Sequence, residues 1–555
     1  VVDRADVLLV EVLERLQGVK AKAKSDEALQ ARLLRAEALA CLQDTSAAAE
    51  LARILSDAGV RACDAIDRVA RLLPEAPATW LLHAEVEAAR GLPEQAASWL
   101  DRTVAQSAEN DAERAREAAG RLAAAFPASA APRLALARAL QRLGRSAEAA
   151  RVLGDAAEAF AAARAEAVAL LEGLTQATPT SDTWLARARA YAAGDNVPAA
   201  LAALAQAAHD AVALPAIQER LLEIAAAHPG RADVLQALVE TETRLQTSAA
   251  AQQAVAHARA WLAAAPAEAD QVAGALSQTV GVLEGLGAGE DRPLQEAYLA
   301  WADALLAAQQ PDEAAQQLAA ILNRWPEAGG SVAERCRQAL ATMPALTLRL
   351  ALADACLACG DCDQAVGVCA AAPERDPAAC QALAERCRAV LEATQAEQPT
   401  VAARAARAIA ERRALQGDAV GAADACATAA GLDGTQAEPL AGWLFDRGWD
   451  AASRRLLRYA AAAVLRDAGE ATFGQALEMY RTLLEPAFEA EAPQVLQALE
   501  RFPQGYLAAW QMRLDLYVRL GPGHYGPLLE ALQAVVDLFG PEQAGDLLAV
   551  CARMD

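Results

Sequence analysis

One helical phrase returns along this chain at intervals of about fifty residues, and that interval constrains the fold more than any other feature. The phrase has a large apolar residue, an Ala one turn on, a second apolar anchor and then Gly or a polar turn. After the turn come Ala and another apolar residue at helical spacing. It reads clearly through Trp80, Ala84, Gly91, Ala96 and Leu100, and again through Leu136, Ala137, Leu140, Gly144, Ala149 and Leu153. Recurrence at a fixed period marks an array in which each unit buries its apolar face on its neighbours. A two-helix hairpin needs fewer residues than this period supplies, so each interval has room for a further element.

The residues between the hairpins say what that element is. Asp111 to Phe126 is helical in pattern and closed by Pro127, Ile217 to His228 by Pro229, and Val332 to Met343 by Pro344; Ala378 to Thr394 ends before Pro399. Each sets apolar residues at helical spacing beside an Arg- or Glu-rich face. The unit is therefore expected to be a hairpin plus an added helix. An odd number of helices would reverse the chain's direction from unit to unit, unless the added helices also pair, so the array should be curved and uneven.

Composition agrees with helix. Hydrophobic residues make up 55% of the chain but aromatics only 4%, so the apolar mass is Ala and Leu, both strong helix formers. The net charge of -23 and the absence of a cationic stripe argue against nucleic acid, because phosphate binding needs clustered cations. Lys occurs only at Lys20, Lys22 and Lys24, and Arg supplies every other cation, a bias expected of a GC-rich bacterial genome. No run approaches the roughly 18 apolar residues that a membrane-spanning helix needs. Val1 to Val10 carry Asp3, Arg4 and Asp6, unlike a secretory signal. A cytoplasmic location is expected, with the periplasm open if the N-terminus, which is not Met, is processed. The Cys count of 11 is odd and many of them sit in helix-like stretches, which favours a reducing compartment over a disulfide framework.

Laid over one another, the phrases resemble the tetratricopeptide repeat, whose first helix carries Trp, Leu, Gly and Tyr slots and whose second carries Ala, an aromatic slot, Ala and a closing Pro. Trp184, Ala188 and Tyr191 with Ala200, Leu204 and Ala207 make one copy. Tyr298, Trp301, Ala302, Leu305, Ala314, Leu318, Ile321 and Pro326 make another. Leu352, Cys356, Gly360, Ala365 and Pro377 follow, then Ile409, Ala410, Gly417, Ala422, Cys426 and Ala429. Weaker copies fall at Leu33 to Ile54, Leu235 to Val255, Leu440 to Leu457 and Trp510 to Leu529. The resemblance implies an all-α, right-handed solenoid of hairpins, with extra helices between several of them. The expected divisions are N-terminal repeats at 1–75, an array at 76–290, a second, Cys-rich array at 291–446, and an aromatic-rich C-terminal cap at 447–555.

In that family, ligands usually lie along the first helices. The slot after the Trp position here holds Leu81, Leu134, Leu185, Leu299 and Leu350, and one turn on stand Glu85, Arg138, Arg189, Asp303 and Asp354. These ten residues are the expected partner-binding face, unless the added helix covers the Leu row and leaves the charges merely solvated. Family members that clamp a chaperone's C-terminal carboxylate use Lys, Arg and Asn there, and the Leu row departs from that pattern.

Cys356, Cys359 and Cys362 at CxxC spacing, with Cys369, Cys380 and Cys387, raise the alternative of zinc or an iron–sulfur cluster. The repeat register instead puts them in packing slots, where Cys acts as a small hydrophobe. The five His are scattered, and no zincin, P-loop, dinucleotide or nucleophile-elbow motif occurs. No catalytic, cofactor or metal residues are expected. The reading is a non-enzymatic scaffold for protein or peptide partners, within a multiprotein assembly. The alternative is a regulatory or substrate-recruiting subunit of an enzyme complex.

Overall fold

The computed structural model describes residues 11, 26–42, 44, 46–106, 108–287, 291–466, 470–484, 488–542 and 545–546. The readings made at Val1 to Val10 and at Lys20, Lys22 and Lys24 lie outside them. Every element among the described residues is helical.

The helices come in threes. The first unit is α1 (Asp26–Cys41), α2 (Ser46–Ala58) and α3 (Cys63–Ala70). The second is α4 (Pro77–Ala89), α5 (Pro93–Gln106) and α6 (Glu109–Ala125). Then come α7 (Ala131–Arg142), α8 (Ser146–Ala159) and α9 (Arg164–Ala177), followed by α10 (Ser181–Ala193), α11 (Val197–Ala207) and α12 (Leu214–Ala227). The fifth is α13 (Ala232–Arg244), α14 (Ser248–Ala264) and α15 (Ala269–Leu286), and the sixth α16 (Asp291–Ala307), α17 (Pro311–Arg324) and α18 (Gly329–Leu340). The seventh is α19 (Leu346–Ala358), α20 (Cys362–Ala370) and α21 (Pro377–Thr394), and the eighth α22 (Pro399–Leu415), α23 (Ala419–Leu432) and α24 (Ala437–Phe445). Last come α25 (Asp450–Arg466), α26 (Glu470–Leu484) and α27 (Phe488–Leu499), then α28 (Leu507–Leu520) and α29 (Tyr525–Phe539). Successive first helices begin 50 to 59 residues apart. The added helix is thus a member of every complete unit. One expected copy changes register: Leu440 to Leu457 is the third helix of one unit and the first helix of the next.

The chain divides into two compact units, residues 1–266 with 275–289, and residues 267–274 with 290–555, so the division falls within α15. In each, the second and third helices of a triplet both pack on the first helix of the next triplet. The cores in the first compact unit show why. One cluster joins Ala84 of α4, Leu100 and Val104 of α5, Ala119 and Leu122 of α6, and then Ala135 and Ala139 of α7. Another runs from Leu134 through Leu153 and Leu171 to Ala186 and Ala190 of α10. In both clusters the triplet's core is closed by the first helix of the next triplet.

First helices are consequently buried nearly all round. Helix α7 buries Leu134, Ala135, Ala137, Ala139 and Leu140, and α22 buries eight positions from Ala402 to Arg412. A helix that is apolar around its circumference belongs inside, and its alanines let neighbours approach closely.

Contacts at helix ends fix the directions. The side chain of Arg244, at the end of α13, reaches the carbonyl of Ala208 at the end of α11. In the second compact unit Thr347, at the start of α19, bonds Asp312 at the start of α17. Arg412, near the end of α22, bonds the carbonyl of Cys369 at the end of α20. A second helix therefore runs parallel to the next first helix, where a plain array of hairpins would set them antiparallel. Within each compact unit, chain direction alternates from triplet to triplet, as an odd helix count requires.

The turn between first and second helix needs one left-handed residue. Gly supplies it at Gly91, Gly144, Gly360 and Gly417. Where Gly is missing, Asp195, Gln246 and Gln309 adopt φ of 61°, 50° and 59°, at a backbone cost of about 1–2 kcal/mol each.

Candidate partner-binding clefts

Within each compact unit, a first helix packed against a preceding triplet has two flanks. One faces the second helix of the preceding unit and the third helix of its own. The other faces the third helix of the preceding unit and the second of its own. The ten expected partner-binding residues lie on the first flank. Leu134 is buried, and Leu81, Leu185, Leu299 and Leu350 are half-buried.

The charged row is engaged with the chain's own helices. Glu85 accepts from Arg121 of α6 at 3.4 Å. Arg138 is held between Asp101 of α5 and Glu166 of α9. Arg189 bonds Glu158 of α8 at 2.7 Å, and Glu158 also takes Arg220 of α12 at 3.1 Å. Asp303 pairs with Arg335 of α18 at 2.7 Å, and Asp354 with Arg386 of α21 at 3.2 Å. The same clasp reappears where no motif pointed to it, with Arg454 and Arg458 of α25 on the buried Glu491 of α27. Four of the five in the row thus join a first helix to the third helix of its own triplet, Arg189 pairs instead with α8, and the charges are paired rather than merely solvated. Half-exposed pairs of this kind each contribute little, about 0–1 kcal/mol.

Electrostatics differ along the row. Burial pushes the Glu85 carboxyl above its ordinary range, against the pull of Arg121. Asp101 is likewise raised by burial, against Arg138. Burial acts the same way on Glu158, but there the hydrogen bond and charge of Arg189, with Arg220, outweigh it and hold the group below the usual range.

Clefts open on both flanks. On the first flank, a cleft of about 680 Å³ lies over α4, walled by α2 and α6 and lined by Ala52, Leu55, Ala84, Ala88, Leu122 and Phe126. Its counterpart over α10, between α8 and α12, holds Leu185 and Arg189 but only about 190 Å³. On the second flank, a polar cleft of about 530 Å³ lies between α3 and α5, where His83 stacks on Trp99 with centroids 4.7 Å apart. The Arg102 guanidinium covers both Trp80 and Trp99 there. In the second compact unit, a cleft of about 750 Å³ over α25 is bordered by Phe445, Ser453, Arg454 and Thr482. Volumes of several hundred Å³ are those of ligand sites.

The Cys-rich stretch spreads over α19, α20 and α21. Cys356, Cys362, Cys369, Cys380 and Cys387 are buried, and Cys359 is exposed. Among the described residues, no three His, Cys, Asp or Glu side chains stand where they could hold a metal ion. The group beside them that sequence reasoning missed is Arg412, only 3% exposed. Its guanidinium donates to the carbonyls of Cys369, Ala370, Ala372 and Glu374. The negative end of α20 offsets its charge, as a helix C-terminus does for a cation.

A second missed network surrounds Glu242, a fully buried carboxylate that meets His257 at 2.9 Å and Gln218 at 3.1 Å. The C-terminal aromatics Phe473, Tyr480, Phe502 and Tyr506 pack on one another within 5.3–6.4 Å. Tyr459 and Tyr525 from the same stretch are exposed.

No described helix is long and apolar enough to cross a membrane. No protein-family model matches the chain, and no curated protein does. Among solved structures, it is similar to a chain of the crystal structure of the APC/C hetero-tetramer Cut9-Hcn1. The identity is 16%, over 85% of this chain and 93% of that one, with a TM-score of 0.16. A likeness at that score carries no argument about function.

Proposed function

We propose that this chain is a non-enzymatic, tetratricopeptide-like scaffold that holds protein or peptide partners in the clefts flanking its first helices. The observation that carries the reading is repetition: the cleft over α4 and the cleft over α10 are built from the same three helix positions, two units apart. A rigid array with repeated clefts preorganises many weak contacts, so a partner gains affinity along its length without ordering the scaffold. Of the ten expected residues, Glu85, Leu185 and Arg189 line these clefts, while Arg138, Asp303 and Asp354 pair with the third helices of their own triplets. Partners are proteins rather than nucleic acid, in keeping with the net charge of -23.

The test is affinity purification of the chain from its native host, with quantitative mass spectrometry. A reproducible, stoichiometric protein partner supports the scaffold. A stoichiometric enzyme would make the chain that enzyme's recruiting subunit, and no reproducible partner would contradict both readings.

A further inference from the structure

The cleft over α4 differs from its counterparts in the arrangement of its charges. Over α7, the floor cation Arg138 is bridged by Asp101 from one wall and Glu166 from the other. Over α10, Glu158 from one wall binds both the floor Arg189 and Arg220 of the opposite wall. In each case carboxylates tie the floor cation to its neighbouring helices.

Over α4 the signs are reversed. The floor carries Glu85, and the facing walls carry Arg53 from α2 and Arg121 from α6. Arg121 reaches Glu85 at 3.4 Å, while Arg53 turns along its own helix to Glu50 at 3.6 Å. Among the described residues, no carboxylate joins the two walls. Both guanidinium side chains are largely exposed, 75% for Arg53 and 68% for Arg121. The cleft is correspondingly wider, about 680 Å³ against about 190 Å³ over α10. The lining also includes Ala52, Ala84, Ala88, Ala118 and Ala125, with Leu55, Leu122 and Phe126. Small side chains of this kind let a helix backbone approach closely. The walls present two cations on a protein of net charge -23, so this is a local exception to its general repulsion of acidic partners.

We propose that the cleft between α2 and α6 docks an amphipathic helix of a partner protein, apolar face down on the alanines, with a carboxylate bridging Arg53 and Arg121. The bridge copies what Glu158 does over α10, with the partner supplying the missing acid. A guanidinium from each wall gives directional, charge-assisted hydrogen bonds to that carboxylate. The inference rests on the scaffold reading and names the partner's chemistry at one of its clefts.

The probe is a fluorescein-labelled helical peptide with Leu at positions i and i+4 and Glu on either side of that stripe. Its companion carries Lys for Glu. Both are titrated against the full chain by fluorescence anisotropy, with the Arg53→Glu/Arg121→Glu double variant and the cleft-filling Ala125→Trp as controls. All three substitutions are at exposed positions, and circular dichroism checks that each variant folds. The Glu peptide should bind at least tenfold tighter than the Lys peptide. The double variant should reverse that preference, and Ala125→Trp should weaken the Glu peptide tenfold or more. Equal binding of the two peptides, no binding of either, or a Glu preference that survives the double variant would overturn the inference. A host partner retained by both wild type and double variant would sink the cleft but leave the scaffold standing. No reproducible partner for wild type would instead count against the scaffold.

Discussion

Replacing Arg412 with Met should cost more stability than its position in a seam between helices would suggest. The guanidinium is 3% exposed and meets four carbonyls, of which the bonds to Cys369 and Ala372 are fully buried. Met keeps most of the apolar volume but removes every donor. Leaving a buried carbonyl unpaired costs about 1–3 kcal/mol, so two give roughly 2–6 kcal/mol. Relief of the desolvation penalty on the buried charge returns part of this, and the net loss should be about 3 kcal/mol. Arg412→Lys keeps the charge but cannot span four carbonyls, and should lose about half as much. Urea denaturation followed by circular dichroism gives the size of the effect. Hydrogen exchange places it, since faster exchange should centre on residues 362–376. In a cooperative unit of this size the melting temperature should fall by roughly 6–12 °C. A change under about 0.5 kcal/mol, or unaltered exchange in that segment, would refute the assignment of Arg412 as the cap of α20.

Four further outcomes follow from the geometry. An Ala at Gly329 would place its Cβ 2.7 Å from Cys359 Sγ and 3.0 Å from the Ala355 carbonyl; Gly329→Ala should destabilise by about 1–3 kcal/mol in a urea titration. Gln309 holds φ of 59° at a turn where other units use Gly, so Gln309→Gly should raise stability by about 0.5–1 kcal/mol, and a loss would contradict the left-handed assignment. The folded-state pKa of Glu158 is depressed, so its contribution is present above the ordinary glutamate range and lost as pH falls through the folded value. Wild type should therefore exceed Glu158→Gln in melting temperature at pH 7, and the gap should close below about pH 4. Glu85, raised by burial, has the opposite sign: Glu85→Gln should equal or exceed wild type at pH 7, and that difference should vanish in acid.

The added helix was legible because its ends are punctuated. Pro127, Pro229, Pro344 and Pro399 all follow third helices, and α6, α12, α18 and α21 match the expected spans within three residues at either end. Leu440 to Leu457 was placed in the wrong register because α24 is apolar like a first helix, and the left-handed Gly448 in the turn before α25 matches the Gly of a first-to-second turn. Of the three units lacking a turn Gly, two were still read from their apolar slots, and the one turning at Gln246 only as a weaker copy. Asp195, Gln246 and Gln309 take a conformation that their side chains do not advertise. The row of Glu85, Arg138, Arg189, Asp303 and Asp354 was visible as a pattern, but its partners were not. Those partners sit 28 to 37 residues away on other helices, and helical periodicity carries no record of such pairings. Arg412 was invisible for the same reason, since its acceptors are backbone carbonyls of a different unit.

The most direct test of the alternating three-helix unit is the relative direction of α17 and α19. Thr347 and Asp312 bond at 2.7 Å, both at helix starts, whereas Arg324 ends α17, roughly 20 Å away along a helix of that length. Cys is introduced at 347 with either 312 or 324, each variant is treated with a short bismaleimide, and the joined peptides are identified by mass spectrometry. The account predicts a 312–347 cross-link and none between 324 and 347. A 324–347 cross-link without the other would mean that the two helices are antiparallel, and that the array is an ordinary series of hairpins.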